Sequence, residues 1–231
     1  MNTDTFYALS TPPGFSATAT VRISGPKSLQ TIESLTNKKS ESFNHGVYRL
    51  SNIYKKNKKI LDKTIVVFFK KPVSYTGADM AEIHTHGNPI IISSLFKELD
   101  GLGLRLANPG EFTLTAFLNN KIDLVQAESV SALIAAKTED GVSLALNNSF
   151  GVASKNFKTI QKNIINVLAH IEYELDTDDT TRLHTTLKQT NKNIVKIINK
   201  IKNLLGGYSS AKSLIQGPRV AIVGKPNVGK S

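Results

Sequence analysis

The chain has 231 residues, 40% of them hydrophobic, enough for two ordinary domain cores. It holds no cysteine, which excludes disulfides, a thiolate nucleophile and a cysteine-type zinc site, and no apolar run nears the ~18 residues of a membrane span. A formal net charge of +11 leaves two readings open: an acidic partner, nucleic acid first, or lysines that only solvate a helical stretch.

The opening stretch, MNTDTFYALSTPPG, has neither a basic n-region nor an apolar h-region, so no signal peptide is expected and the chain reads as soluble and cytoplasmic. Residues 17–24 (ATATVRIS) alternate and are β-branched, which predicts a strand, and Gly25-Pro26 opens a short helix through Leu35. Residues 47–54 (VYRLSNIY) and 62–69 (DKTIVVFF) are predicted strands, the second apolar enough to be buried on both faces. Residues 80–86 (MAEIHTH) form another, followed by helices over 89–99 and 111–118. Strands and helices interleave without a regular βαβ repeat, so an α+β domain is expected over residues 1–118.

From Asp123 the texture is helical, and an all-α region is expected over 119–217. Asp123 and Gln126 resemble a capping box ahead of LVQAESVSALIAA. Ile160, Ile164, Leu168, Ile171 and Leu175 then recur at helical spacing. DTDDTTR interrupts the pattern, its acidic residues suiting the start of a next helix that carries Leu183, Leu187, Ile194, Ile198, Ile201 and Leu205 to a Gly206-Gly207 stop. Such a helical hairpin leaves half its apolar surface wet. Lys188, Lys192, Lys196 and Lys200 form a basic ridge on its second helix, and either a solvated face or a nucleic-acid contact accounts for it.

Three constellations carry chemistry. On a strand, Glu82, His84 and His86 of EIHTHG fall on one face, as metal ligands would, but no third imidazole is obvious among His45, His170 and His184. A packed or ligand-facing strand end is the competing reading. Arg22 is a charge in an otherwise apolar strand, so either a carboxylate of the fold or a ligand pairs with it, the former favoured on these residues alone. Lys121 sits near the change of texture, where clefts form.

The third is the end of the sequence. PRVAIVG is predicted to be a strand delivering the chain into GKPNVGKS, a phosphate-binding loop whose glycines let backbone N–H groups wrap a phosphate. Lys230 suits β- and γ-phosphate charge and Ser231 suits Mg²⁺. The loop alone leaves GTP and ATP both open. Residues 218–231 thus look like the first strand and loop of a third domain.

Taken together, DTFYALSTPPG…VRISGP, SYTGADMAEIHTHGNP, NPGEFTLTAFLNNKIDLVQAESVSALI and GKPNVGKS resemble the MnmE (TrmE) family of tRNA modification GTPases. The resemblance runs in order from residue 4 to 231 and is unspecific only over 156–206. It implies an N-terminal α/β domain that dimerises and binds 5-formyltetrahydrofolate, and a helical domain into which a Ras-like α/β GTPase domain is inserted, of which residues 218–231 would be the first strand and loop. It also implies action with the flavoprotein MnmG to install an aminomethyl-type group at C5 of the wobble uridine of tRNA. Folate contacts then fall on Arg22, Glu82 and Lys121, and GTP contacts on Asn227, Val228, Gly229, Lys230 and Ser231. Asn227 matches a K⁺ ligand and Ser231 the Mg²⁺ ligand.

Two departures stand out. Phe15-Ser16 follow PPG where the family usually has small or charged residues with a glycine, and the family's C-terminal cysteine motif is missing. The second suggests a truncated sequence. A polypeptide ending at Ser231 is then expected neither to hydrolyse GTP nor to bind it tightly, since the helix after Lys230 is missing and a terminal carboxylate would sit beside the triphosphate. The alternative function is a folate-binding dimerisation module without hydrolysis.

Overall fold

The structure, a computed structural model, describes residues 4–175, 180–206, 221, 223 and 224. They belong to two compact units that divide between Ile122 and Asp123.

The first unit is a six-stranded sheet with two helices on one face and a third on the other. Its elements in chain order are β1 (Phe6–Leu9), β2 (Ser16–Ser24), α1 (Ser28–Thr36), β3 (Arg49–Tyr54), β4 (Ile60–Phe69), β5 (Met80–Gly87), α2 (Pro89–Gly101), β6 (Arg105–Leu106) and α3 (Glu111–Leu118). The strand order is β3-β4-β5-β2-β1-β6, antiparallel except for the parallel β1–β6 pair. This is the α+β architecture expected.

Side chains alternate across the sheet. Val21, Ile23, Ala81, Ile83, Val66, Phe68 and Ile53 point to one face, where α1 and α2 bring Ile32, Leu35, Leu95 and Leu99 against them. Gly25 carries the chain from β2 towards α1 at φ +133°, and a Cβ there would meet the Asp4 carbonyl oxygen and Thr5 Oγ1 at 2.6 Å, so only glycine fits. Asn88 caps α2 by accepting from the Ile90 N–H at 2.8 Å, with Pro89 in the first turn.

On the other face, α3 is held by Phe112 packing edge-on against Phe6 at 4.9 Å. Burial of β4 departs from the expectation. Val66, Val67 and Phe68 are buried on both faces, but Ile65 is 42% exposed because no described residue of this unit covers the outer face there. The sequence reading also missed β1 and β6, which at four and two residues are too short to show a period.

The second unit is helical: α4 (Leu124–Ala135), α5 (Glu139–Ser149), α6 (Val152–Leu175) and α7 (Thr180–Gly206). The Asp123–Gln126 capping box forms in both directions. Asp123 Oδ1 also accepts from Ser154 Oγ at 2.9 Å, and Gln126 Nε2 donates to the Ser149 carbonyl at 2.9 Å, so one cap ties three helices together. Thr138 caps α5 by accepting from the Gly141 N–H. α6 and α7 pack together around Ile160 and Ile197, yet Ile164 and Leu168 remain about half exposed. Of the predicted strand at 218–224, only Ala221, Val223 and Gly224 are described.

Candidate ligand site on the outer face of the sheet

The register of the two central strands sets Arg22 directly opposite Glu82, and Thr20 opposite His84. All four side chains leave the face away from α1 and α2, since they alternate with Val21, Ile23 and Ile83 of the core. Arg22 Nε donates to Glu82 Oε1 at 2.7 Å. His84 Nδ1 meets Thr20 Oγ1 at 3.0 Å, which turns its Nε2 toward Glu82 Oε2. At 3.5 Å that second approach is close without being a formed hydrogen bond, and His84 Nε2 is a buried atom with no hydrogen-bond partner among the described residues.

Electrostatics follow from this geometry. His84 beside it, together with the Arg22 guanidinium, holds the Glu82 carboxyl below its ordinary range against the burial that pushes it up. Glu82 is therefore a carboxylate with one oxygen committed to Arg22 and the other free to accept. The Arg22 side chain is 38% exposed and spends only Nε on the pair, and among the described residues its two terminal nitrogens remain as donors. The carboxylate partner expected for Arg22 is thus Glu82 itself, and the pair still has unused capacity on both members.

Lys121 is held by the loop between β4 and β5. Its Nζ donates to the Pro72 carbonyl at 2.9 Å, and its stem lies on Gly77. Asn119 Nδ2 donates to the Thr76 carbonyl at 2.8 Å, and Thr76 Oγ1 contacts Ser24 Oγ at 2.8 Å. Ser24 lies two residues along β2 from Arg22, on the same side. These contacts fix Lys121 against the loop between β4 and β5, whose Thr76 touches β2 at Ser24, and no hydrogen bond or ion pair joins Lys121 to Arg22 or Glu82 among the described residues.

The metal reading of EIHTHG finds no support among the described residues, where no three His, Asp or Glu side chains converge. His86 turns from Glu82 to Asp62, whose Oδ1 meets His86 Nδ1 at 2.7 Å and whose Oδ2 accepts the His86 N–H at 2.9 Å. Two participants escaped the sequence reading. Thr20 shares a face with Arg22 by the same two-residue spacing, and Tyr48 sets its ring 6.1 Å from that of His84. Asn227, Val228, Gly229, Lys230 and Ser231 of the phosphate-binding loop lie outside the described residues.

An α+β domain with a charged pair on its outer face, followed by a helical domain, defines the class of protein. Residues 5–121 match the family model described as GTP-binding protein TrmE N-terminus, and residues 124–219 match the MnmE helical domain. The chain belongs to the MnmE (TrmE) family. It is 40% identical to a "tRNA modification GTPase MnmE" of Fervidobacterium nodosum, with 100% of this chain and 50% of the relative covered. A protein of the same name from Endomicrobium trichonymphae is 40% identical over 99% of this chain and 49% of its own length. That of Aquifex aeolicus is 37% identical over 97% and 50%. The chain spans about half the length of the curated relatives it matches.

Proposed function

We propose that this chain supplies the N-terminal and helical domains of a tRNA modification GTPase. In this reading the protein acts with the flavoprotein MnmG to install an aminomethyl-type group at C5 of the wobble uridine of tRNA. It works in the cytoplasm as a homodimer joined through the N-terminal domain.

The carrying observation is the Arg22–Glu82 pair, which is preformed and still has donors and an acceptor to spare. A tetrahydrofolate such as 5-formyltetrahydrofolate fits this chemistry, and when bound it supplies the one-carbon unit. Glu82 Oε2 accepts from the N–H edge of the pterin, while the terminal nitrogens of Arg22 and the Lys121 ammonium serve carbonyl or carboxylate oxygens. The pair's mutual grip fixes the orientation of both groups before the ligand arrives, which lowers the ordering cost of binding.

The sequence of the phosphate-binding loop supports the nucleotide part. Lys230 neutralises phosphate charge, Ser231 holds Mg²⁺ and Asn227 holds K⁺ beside GTP. Two measurements on the full-length protein test the reading. Calorimetric titration with 5-formyltetrahydrofolate is expected to show stoichiometric binding. GTP hydrolysis is expected to be stimulated by K⁺, with Asn227→Ala blunting that stimulation. Absence of both activities would remove the reading.

A further inference from the structure

The packed helices α6 and α7 have two unlike flanks. Along one runs a groove of about 260 Å³ walled by Ile164, Leu168, Ile171, Ile194 and Ile198. Along the other runs a groove of about 360 Å³ walled by Asn163, Asn166, His170, Asn193 and Lys196. Val167 and Ile197 belong to both walls and mark the seam between them. The apolar flank is the one a further helix would bury. The polar flank is lined by hydrogen-bonding groups and, among its described lining residues, carries no carboxylate.

Charge sharpens the contrast. Over Thr180–Gly206, α7 carries Arg182, Lys188, Lys192, Lys196, Lys200 and Lys202 and not one Asp or Glu. Lysines four apart repel and weaken a helix, and a merely solvated helix relieves this with acidic residues at the same spacing. None does so here. Lys188, Lys192 and Lys196 are exposed, and among the described residues none of them nor Lys200 is ion-paired.

We propose that this polar flank is the docking surface for the sugar–phosphate backbone of tRNA. The inference rests on the reading of the protein as a tRNA-modifying enzyme. Lys192, Lys196 and Lys200 meet successive phosphates, and the amides of Asn163, Asn166 and Asn193 donate to phosphate or ribose oxygens between them. Such contacts position the nucleic acid without reading its sequence.

The test is binding of fluorescently labelled tRNA to the full-length protein, followed by anisotropy across about 50 to 200 mM KCl. Lys192→Gln/Lys196→Gln/Lys200→Gln is expected to lower the slope of log affinity against log salt by about 2 to 3. Glutamine keeps helix propensity, so unchanged circular dichroism is expected alongside. Asn163→Ala/Asn166→Ala is expected to weaken binding several-fold with the slope unchanged, since no charge is lost. A control removes equal charge from the first unit, Lys55→Gln/Lys56→Gln/Lys58→Gln, and is expected to leave the slope alone. The proposal is overturned by an unaltered slope in the α7 variant, or by an equal fall in the control. It is equally overturned if the α7 variant binds tRNA normally but loses an acidic protein partner. If the unmodified protein binds no tRNA at all, the functional reading fails and this surface fails with it.

Discussion

Arg22 and Glu82 face each other across the two central strands of the sheet, Nε to Oε1 at 2.7 Å, although 60 residues of chain separate them. The contact is two-sided in its consequences. It satisfies a guanidinium that an apolar strand could not otherwise carry, and it aims a carboxylate outward. Arg22→Ala is therefore expected to weaken 5-formyltetrahydrofolate binding by about 1.5–3 kcal/mol, the scale of a hydrogen bond to a charged group. Its cost in stability should be smaller, since partly exposed pairs contribute about 0–1 kcal/mol. Glu82→Gln keeps the shape and loses the strong acceptor, and should weaken folate binding comparably. Calorimetry on folded variants decides. Affinity unchanged in both removes the pair from the site.

Acid should loosen the first unit through α3. Arg105 donates to both oxygens of Glu111, at 2.9 and 2.5 Å, and the Asn108 N–H adds a third bond at 2.7 Å. The hydrogen bonds from Arg105 hold the Glu111 carboxyl below its ordinary value of 4.5, against burial. A carboxyl depressed in the folded state adds stability that is present above its unfolded pKa and lost as pH falls through the folded one. Stability should therefore decline below about pH 4.5, and Glu82, depressed likewise, adds to the slope. Glu111→Gln is expected to cost about 1–3 kcal/mol at neutral pH and to flatten the acid limb in urea titrations. A limb as steep as that of the unmodified protein would assign the acid sensitivity elsewhere.

What could be read from the sequence was what neighbours dictate. The alternation of ATATVRIS and the capping pair Asp123–Gln126 announce β2 and α4 because strand period and cap geometry act within a few residues. Arg22 announced that it needed a partner, but the partner's identity depends on the register between β2 and β5, which distant turns and core packing set. The same limit explains His86. Spacing placed it with Glu82 and His84, whereas Asp62 of β4 arrives from across the sheet and takes it. Tyr48 falls in the strand predicted over 47–54 but just ahead of β3 itself, and its approach to His84 depends on how distant strands line up, which no local pattern gives.

Self-association should use the outer face beside the pair. Leu50 and Ile65 are cross-strand partners there, 58% and 42% exposed, and Ile65 in turn faces His84 of the site. Two exposed aliphatics on one sheet face suit a self-complementary interface, which a twofold axis repeats. Leu50→Glu is expected to shift the protein from dimer to monomer in sedimentation velocity, since a charge would be buried unpaired at the interface. A dimer of undiminished affinity in that variant places the contact on another surface.

Lys121 owes its position to Gly77. That glycine sits at φ +75°, and a Cβ on it would lie 2.9 Å from Lys121 Cγ and 3.0 Å from Asn119 Cβ. Gly77→Ala thus meets two penalties at once: a left-handed backbone that L-residues resist by about 1–2 kcal/mol, and a collision with the lysine stem. The variant should lose folate affinity several-fold even though Gly77 itself offers no group to the ligand. Lys121→Met keeps the stem and removes the ammonium, so it should weaken folate binding by about 1.5–3 kcal/mol with little change in Tm. A double-mutant cycle separates positioning from direct contact. If Gly77 acts through the Lys121 ammonium, adding Gly77→Ala to Lys121→Met costs no further affinity, although the stability penalty persists. Fully additive losses in affinity would instead mean that the loop between β4 and β5 reaches the ligand on its own account.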